Sequence, residues 1–234
     1  MGLSDAELIT RIDALERAKA ACAAEQVHLT ALFVQSQAVR ARQLREQAQA
    51  CSDAGDFDGW VAARDAARAL ELEPEEREQP GGARRSSGSS QSRSARRASL
   101  SRTGLTAQVG LARHESPSRG ARLATAAVAL VNDLPHTLAA LSAGVLNERR
   151  AELVASGTSH LSPELRRLVD AEVVGANLNF DALDDDADDA VKSVLGSWGD
   201  REVERRVRAC ADRLDAAAAV KRARLAEGER HVSI

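Results

Sequence analysis

Helix-start signals recur at short intervals between Gly104 and Val173, and they limit most strongly what this chain can fold into. A serine followed by a proline marks a helix start, because serine can cap free backbone amides and proline is tolerated at the first helical position. Such pairs stand at Ser116-Pro117 and at Ser162-Pro163. Between them, Pro135 and Asn147 open two further segments. The pattern therefore predicts four short helices in succession.

Within these segments the apolar residues recur at the three- and four-residue spacing of a helix face. Gly144 is predicted to end the second segment in the left-handed conformation. Helices this short are unstable alone, so they must bury their apolar stripes against one another. We therefore predict a compact multi-helix domain over residues 99–234. The stripes of the first and last segments are Leu123, Ala127, Leu130, Leu134 and Leu165, Leu168, Val169, Val173.

The N-terminal region contains neither glycine nor proline from Ser4 to about Ala50. Ser4 and Glu7 form a capping-box signature, and the apolar residues that follow keep a spacing close to 3.5. This favours one long helix, with a break near residues 26–28 as the alternative. Lys19 and Gln26 interrupt the stripe, so we expect the arm to pack within its own chain rather than as a dimer zipper. The stripe consists of Leu8, Ile12, Leu15, Cys22, Leu29, Phe33 and Ser36.

A turn at residues 52–56 is predicted to separate this arm from a second helix, Gly59–Leu72, with Asp58 as its cap. The two helices would form an antiparallel hairpin within residues 1–73.

Residues 74–98 change character abruptly and are predicted to form a flexible Ser/Arg/Gly-rich linker. From Gly81 to Gly104 there are six arginines, eight serines and no acidic residue. Such a segment cannot bury enough apolar surface to offset the entropy of ordering. Two interpretations stay open: a basic arm that contacts DNA phosphates weakly without reading sequence, or a solvated linker with no partner. The candidate phosphate-contacting residues are Arg84, Arg85, Arg93, Arg96, Arg97 and Arg102.

The composition also indicates helices. Apolar residues make up 44% of the chain but aromatic residues only 2%, so the apolar set is mainly Ala, Leu and Val. That suits closely packed helices and argues against a sheet. The predicted fold class is all-α, with a long N-terminal helical arm or hairpin, a disordered basic linker and a compact multi-helix domain.

No catalytic or metal-binding pattern stands out in the sequence. The histidines are scattered, and His136 is interpreted as a first-turn residue of a helix. The aspartates at 181–189 do not form an EF-hand loop starting at Asp184, because Asp189 and Leu195 stand where glycine and glutamate are required. They are interpreted as charges that complement the dipole of the following helix. We therefore predict no catalytic residue, metal or cofactor.

Cysteine use and the N-terminus indicate the compartment. Cys22, Cys51 and Cys210 are far apart and lack C-x-x-C spacing, which favours a reducing cytoplasm. Charges throughout the first turns exclude a signal peptide, and no apolar run approaches the ~20 residues of a membrane span. The net charge of -3 gives no overall attraction to nucleic acid or membrane. We expect a cytoplasmic protein with no membrane partner.

One resemblance narrows the biology. The words SPSRGARL, DLPHTLAALSAG and ERHVSI, in this order over roughly residues 98–234, resemble the helical domain of unknown function 222 of the actinobacterial 13E12-repeat proteins. Proteins of that family usually continue into a C-terminal HNH endonuclease domain, and this chain stops before that domain would begin. The residues of these words to which the resemblance gives structural roles are Ser116, Pro117, Leu134, Pro135, Thr137, Leu141 and Gly144.

The resemblance implies a non-catalytic helical module of an HNH-endonuclease-associated protein, which positions DNA or the nuclease domain. It leaves open whether the whole protein is an enzyme. The alternative is a helical scaffold that binds another helical protein and has no nucleic-acid role.

Overall fold

The computed structural model describes residues 4–70, 104–178 and 194–216. Within these ranges the chain forms helices and turns and contains no strand, which confirms the predicted all-α fold class. No helix in the same ranges combines the length and apolar composition that a membrane span requires. The predicted linker and its boundaries after residues 73 and 98 fall outside the described residues and stay predictions.

Contacts group the chain into two compact units. One comprises Leu29–Thr125, and the other comprises Met1–His28 together with Ala126–Ile234. The boundaries fall inside two helices, α1 (Asp5–Asp53) and α4 (Pro117–Asp133), so each of these helices contributes to both units.

The long helix α1 begins at the predicted capping box. The Ser4 amide donates to Glu7 Oε2 at 2.7 Å, and the Glu7 amide donates to Ser4 Oγ at 3.4 Å. The bond from the Ser4 amide lowers the pKa of Glu7. The helix continues for 49 residues without a break, so the predicted alternative break near residues 26–28 is wrong. It ends just before Gly55, which has a φ of 74°.

The buried face of α1 differs from the predicted stripe. Five of the six buried side chains are alanines: Ala20, Ala23, Ala24, Val27, Ala41 and Ala48. Ala20, Val27, Ala41 and Ala48 are separated by multiples of seven residues. Leu8, Ile12, Leu15 and Leu29 of the predicted stripe are exposed instead. Both stripes keep a heptad spacing, so periodicity alone could not choose between them. Small side chains on the buried face allow neighbouring backbones to approach closely.

In the unit Leu29–Thr125, α1 is followed by α2 (Phe57–Ala69) and α3 (Gly104–Ala112). Asp56 caps α2 by accepting from the Gly59 amide at 2.9 Å, so the predicted cap Asp58 is wrong. The helix α3 was not predicted, because it is only nine residues long and two of them, Gly104 and Gly110, are glycines, which disfavour a helix. The core of this unit consists of Leu105, Val109, Leu123 and Ala124, with Phe33 and Val34 packed against it.

Glycines bring α3 and α4 together in that unit. A Cβ on Gly120 would lie 2.2 Å from the Thr106 carbonyl oxygen and 2.6 Å from the Gly110 amide nitrogen. Only glycine leaves room for this crossing, which accounts physically for the glycine in the word SPSRGARL.

In the other unit, the second half of α4 precedes four short helices. Asn147 and Ser162 cap two of them, as predicted, by accepting from the amides of Arg150 and Leu165. Gly144 has the predicted positive φ, 73°. The helix that begins at Asp200 has Gly199 at its cap position. The four helices are α5 (Pro135–Ser142), α6 (Glu148–Thr158), α7 (Pro163–Val173) and α8 (Asp200–Leu214).

The helix α8 packs on α6 and α7. Its buried face carries Val203, Val207 and Cys210, at the three- and four-residue spacing of one helix face. A Cβ on Gly157 would lie 2.7 Å from Val207 Cγ1, so α6 and α8 meet at this glycine. Single 3-10 turns stand at Gly175–Asn177 and Val194–Ser197. The predicted helix start at residues 181–189 lies outside the described residues.

Candidate functional site

Three charged side chains of α7 contact the ends of three other helices. Arg166, Arg167 and Asp170 follow one another at the spacing that places residues on neighbouring parts of one helix face. Their partners lie at the junction between α4 and α5 and at the end of α6. We call this set the junction cluster; it comprises Asp133, His136, Thr137, Arg166, Arg167 and Asp170.

Asp170 closes the N-terminus of α5. Its side chain is fully buried, and Oδ2 accepts from the His136 amide at 2.7 Å while Oδ1 accepts from the Thr137 amide at 3.0 Å. Thr137 Oγ1 donates to the same Oδ1 at 2.5 Å. Pro135, the first residue of α5, has no amide hydrogen to satisfy. The residue that fills the cap position, Leu134, has no side-chain acceptor, so a carboxylate from another helix performs the capping.

Arg166 closes the C-terminus of α6 and contacts a side chain at the end of α4. Its Nε and Nη2 donate to the carbonyl oxygens of Thr158 and Ser159, at 3.2 and 2.7 Å, where α6 ends. Its Nη1 donates to Asp133 Oδ2 at 3.1 Å, at the last residue of α4. The planar guanidinium can satisfy all of these acceptors at once because its donors point in fixed, diverging directions.

Arg167 completes the contact with α4. Its Nη2 donates to the Asn132 carbonyl oxygen at 3.2 Å and to Asp133 Oδ1 at 3.4 Å. Asp133 is itself buried, so the arginines compensate a carboxylate that has lost its water.

Each of these charges is opposite in sign to the partial charge at the helix end that it contacts. The carboxylate of Asp170 faces the N-terminus of α5, where the partial charge is positive. The guanidinium of Arg166 faces carbonyl groups at the end of α6, where the partial charge is negative. Through one face of α7, the cluster fixes where the neighbouring helices begin and end.

The imidazole of His136 belongs to the same arrangement. Its Nδ1 lies 3.1 Å from Asp170 Oδ2. The other side of the ring lies against the 3-10 turn, since a Cβ on Gly175 would lie 2.8 Å from Cδ2 and 3.1 Å from Nε2. In a catalytic Asp–His pair, that second ring nitrogen activates a nucleophile. Here that nitrogen lies beside Gly175, while Nδ1 and the main-chain amide of His136 both face Asp170, so the geometry favours a structural role in the first turn of α5.

The residues to which the family resemblance gives structural roles lie at helix ends or in the core. Ser116 Oγ accepts from the Arg119 amide at 3.2 Å, and Pro117 begins α4. Leu134 and Leu141 are fully buried on either side of Thr137. A Cβ on Gly144 would lie 2.8 Å from Arg17 Cβ, so this glycine permits the close approach of α1 as well as its positive φ.

Other chemical groups of the described residues are dispersed. No group of three or more His, Cys, Asp or Glu residues in the described ranges could hold a metal ion. Cys210 is buried, and its burial, together with the nearby Glu172 carboxylate, raises the pKa of the thiol. Burial likewise raises the pKa of Cys51, with a contribution from Asp56. Both thiols are therefore held in the unreactive, protonated form.

The predicted basic arm cannot be placed. Arg84, Arg85, Arg93, Arg96, Arg97 and Arg102 all lie among residues 71–103, outside the described part of the chain. Their contact with phosphate stays a prediction.

Sequence reasoning did not find the junction cluster. The signal was present as ELRRLVD in α7 and NDLPHT at the α4–α5 junction, but it consists of ordinary charged residues more than 30 positions apart. One local clue existed: Pro135 follows a leucine rather than a capping residue, so the cap had to come from elsewhere.

Comparison with known proteins returns no match for this chain: no family model, no curated protein sequence and no solved structure is significantly similar to it.

Proposed function

We propose that this chain is a non-catalytic helical module of an HNH-endonuclease-associated protein of the 13E12-repeat type, and that it positions a nuclease domain or DNA. The proposal rests on the resemblance of the words SPSRGARL, DLPHTLAALSAG and ERHVSI. In this role the helices supply a rigid support, and the chemistry belongs to a separate HNH domain.

One observation supports a supporting role over a catalytic one. Among the described residues, Asp170 carries the most deeply buried carboxylate, and both of its oxygens accept hydrogen bonds from backbone amides of α5. A general acid or base must instead face a substrate or a bound water. The word DLPHT, which carries much of the resemblance, lies in the same capping network. Its residues are used to fix helix ends.

In this proposal DNA contact is made by the six linker arginines and is weak and independent of sequence. Phosphate contacts of this kind release counterions, so affinity falls with salt at a slope of about -0.9 per contact. Six contacts would give a slope of about -5 in a plot of log affinity against log salt concentration.

The test is a salt series of DNA binding by the full chain. We expect binding at low salt that weakens steeply as salt rises, and a variant with the six linker arginines changed to glutamine should lose most of the slope. A control with equal charge loss changes six exposed helix arginines instead and should keep the slope. These are Arg40, Arg42, Arg68, Arg149, Arg201 and Arg208.

Three outcomes would contradict the proposal. No binding by the intact chain at low salt removes its DNA-positioning half. Cleavage of DNA by the purified chain with added Mg²⁺ contradicts the non-catalytic half. Equal loss of slope in both variants would show that binding follows net charge rather than the linker.

The second candidate, a scaffold that binds another helical protein, draws support from α1. Leu8, Ile12 and Leu15 are large apolar side chains that remain exposed on one face of that helix. Exposed apolar patches of this kind mark interaction surfaces. A chain that binds no DNA at low salt but associates through this face would favour the scaffold.

A further inference from the structure

The N-terminal part of α1 is exposed along its length. Every residue from Ser4 to Lys19 is exposed, and we call this segment the arm tip. It nevertheless carries bulky apolar side chains: Leu8 is 45% exposed, Ile12 56% and Leu15 51%. Helical segments of this length gain most of their stability from packing an apolar face, which the described part of the chain does not cover.

The apolar side chains of the arm tip keep a heptad register. With Leu8, Leu15 and Cys22 at position d, Ile12 falls at position a, as in the seam of a two-stranded coiled coil. Cys22, the next residue at position d, is also exposed, so the exposed seam extends one position beyond the arm tip.

The arm tip is held by the opposite face. Arg17, at position f, approaches Gly144 so closely that a Cβ there would lie 2.8 Å from Arg17 Cβ. The intrahelical ion pair between Arg17 and Asp13 also lies away from the seam. With respect to the described residues, the seam therefore faces outward, where a second helix can reach it.

We propose that the arm tip pairs with the arm tip of a second copy of this chain, as a parallel, in-register coiled-coil dimer. Charge complementarity selects this partner and this orientation. Arg11 occupies position g and Glu16, five residues later, occupies position e. In a parallel dimer g of one helix meets the following e of the other, so two-fold symmetry forms two Arg11–Glu16 pairs. In an antiparallel dimer g faces g and e faces e, and this match is lost.

Lys19 limits the strength of the dimer. It stands at position a, where a polar residue specifies register at the expense of stability. Its Nζ donates to Glu16 Oε1 at 2.8 Å, so its charge is partly compensated within its own helix. In the in-register dimer the Lys19 side chains of the two copies meet at the seam, and so do those of Asp5, which also stands at position a. Their like charges lower the stability of the dimer, so the Arg11–Glu16 pairs and the apolar side chains must outweigh them.

The first test is disulfide trapping in the full chain with Cys51→Ser and Cys210→Ser, which leaves Cys22 alone. Residues at position d face their counterparts in a parallel dimer, so mild oxidation with diamide should give a covalent dimer that a reductant reverses. The matched control replaces Cys22 by serine and adds Thr10→Cys, at position f. It should form no disulfide-linked dimer under the same oxidation, because residues at position f lie far apart in a parallel pair.

The second test is a charge swap measured by sedimentation equilibrium. Arg11→Glu and Glu16→Arg each turn two attractive pairs into repulsive ones, and each should raise the dimer Kd roughly two- to tenfold. The double variant restores both pairs and should return the Kd close to that of the unchanged chain. Leu15→Glu should raise the Kd by at least about 100-fold, whereas Ala14→Glu at position c should leave it unchanged.

Several results would overturn the dimer. The unchanged chain could remain a monomer up to its solubility limit. The Thr10→Cys control could cross-link as readily as Cys22. A dimer insensitive to Leu15→Glu would use another surface, and a charge swap without rescue would exclude the parallel arrangement. Circular dichroism of each variant must show that the helices are retained.

Discussion

The junction cluster and the arm tip place their side chains in opposite ways. At the junction cluster, charged groups are drawn into the fold, and Asp170 is fully buried with hydrogen-bond partners for both oxygens. At the arm tip, large apolar groups such as Ile9 and Ile12 remain in water. Other helices of the chain enclose the first region, whereas no described residue covers the apolar side chains of the second. The difference separates side chains that stabilise the fold from side chains that are exposed for the proposed pairing.

The largest loss of stability is expected when the carboxylate of Asp170 is removed. Asp170→Ala leaves two backbone amides and the Thr137 hydroxyl buried without their acceptor. We expect the free energy of unfolding to fall by about 3–5 kcal/mol. Urea denaturation followed by the fluorescence of Trp198, in a Trp60→Phe background, measures this change.

The control for that variant is Asp200→Ala. Asp200 pairs with Arg150 at 3.3 Å, but its side chain is largely exposed. Its loss should lower the free energy of unfolding by less than about 1 kcal/mol. Similar effects of the two substitutions would mean that Asp170 contributes no more than a surface charge.

Arg166→Met tests the capping of the C-terminus of α6. The methionine keeps much of the side-chain volume but leaves the carbonyl groups of Thr158 and Ser159 without a donor. We expect a loss of about 2 kcal/mol, since Arg167 still contacts Asp133. Arg166→Lys should recover only part of this loss, because an ammonium group lacks the diverging donors of the guanidinium. Equal stability of the methionine and lysine variants would contradict the geometric argument.

Gly175→Ala probes the space beside His136. The added Cβ would meet the imidazole ring at 2.8 Å, and the ring is restrained by Asp170. We expect a loss of about 1–2 kcal/mol from overpacking, again measured by urea denaturation. Gly199→Ala is the matched control, because a Cβ there meets nothing within 4 Å. It should change stability by no more than about 0.5 kcal/mol.

The sequence predicted the helices of this fold well where a signal was local. Asn147, Ser162 and Gly144 act through atoms within a few residues, and each was identified from its own neighbourhood. The helix α3 was not predicted because two of its nine residues are glycines, which disfavour a helix. The buried face of α1 was assigned to the wrong stripe, because a seam of alanines and a seam of leucines share the same period. The junction cluster depends on contacts between α7 and residues more than 30 positions earlier, which no local pattern contains.

Ile12→Gln tests whether the apolar side chains of the arm tip are exposed in the monomer. At low protein concentration, where the chain is monomeric, Ile12 is already in water. The substitution should then change the free energy of unfolding by less than about 0.5 kcal/mol. At high concentration the unchanged chain should gain stability from the dimer, and the variant should not. A large loss at low concentration would show that Ile12 is covered within the monomer.

The smallest change in stability is expected on substitution of Glu202 in α8. This residue forms ion pairs at the surface, so it shows what charge contributes without burial. Its carboxylate accepts from Arg205 Nη2 and Arg206 Nε, each at 2.6 Å. These bonds lower the pKa of Glu202 to about 2, below its ordinary 4.5. The stabilisation is therefore complete above pH 4.5 and is lost as the pH falls through about 2. Because the arginines are largely exposed, solvent screens the pairs and the contribution is small.

Glu202→Gln should therefore leave a difference from the unchanged chain that disappears between pH 4.5 and about 2 and shrinks in high salt. Glu204→Gln, with the same charge change on the same helix, controls for net charge. The junction cluster offers the contrast, since Arg166 meets Asp133 where water is largely excluded. If Glu202→Gln destabilised the chain as much as Arg166→Met, burial could not be the reason that the junction cluster matters. A smaller effect at Glu202 means that the same charges stabilise this fold chiefly where they close the end of a helix.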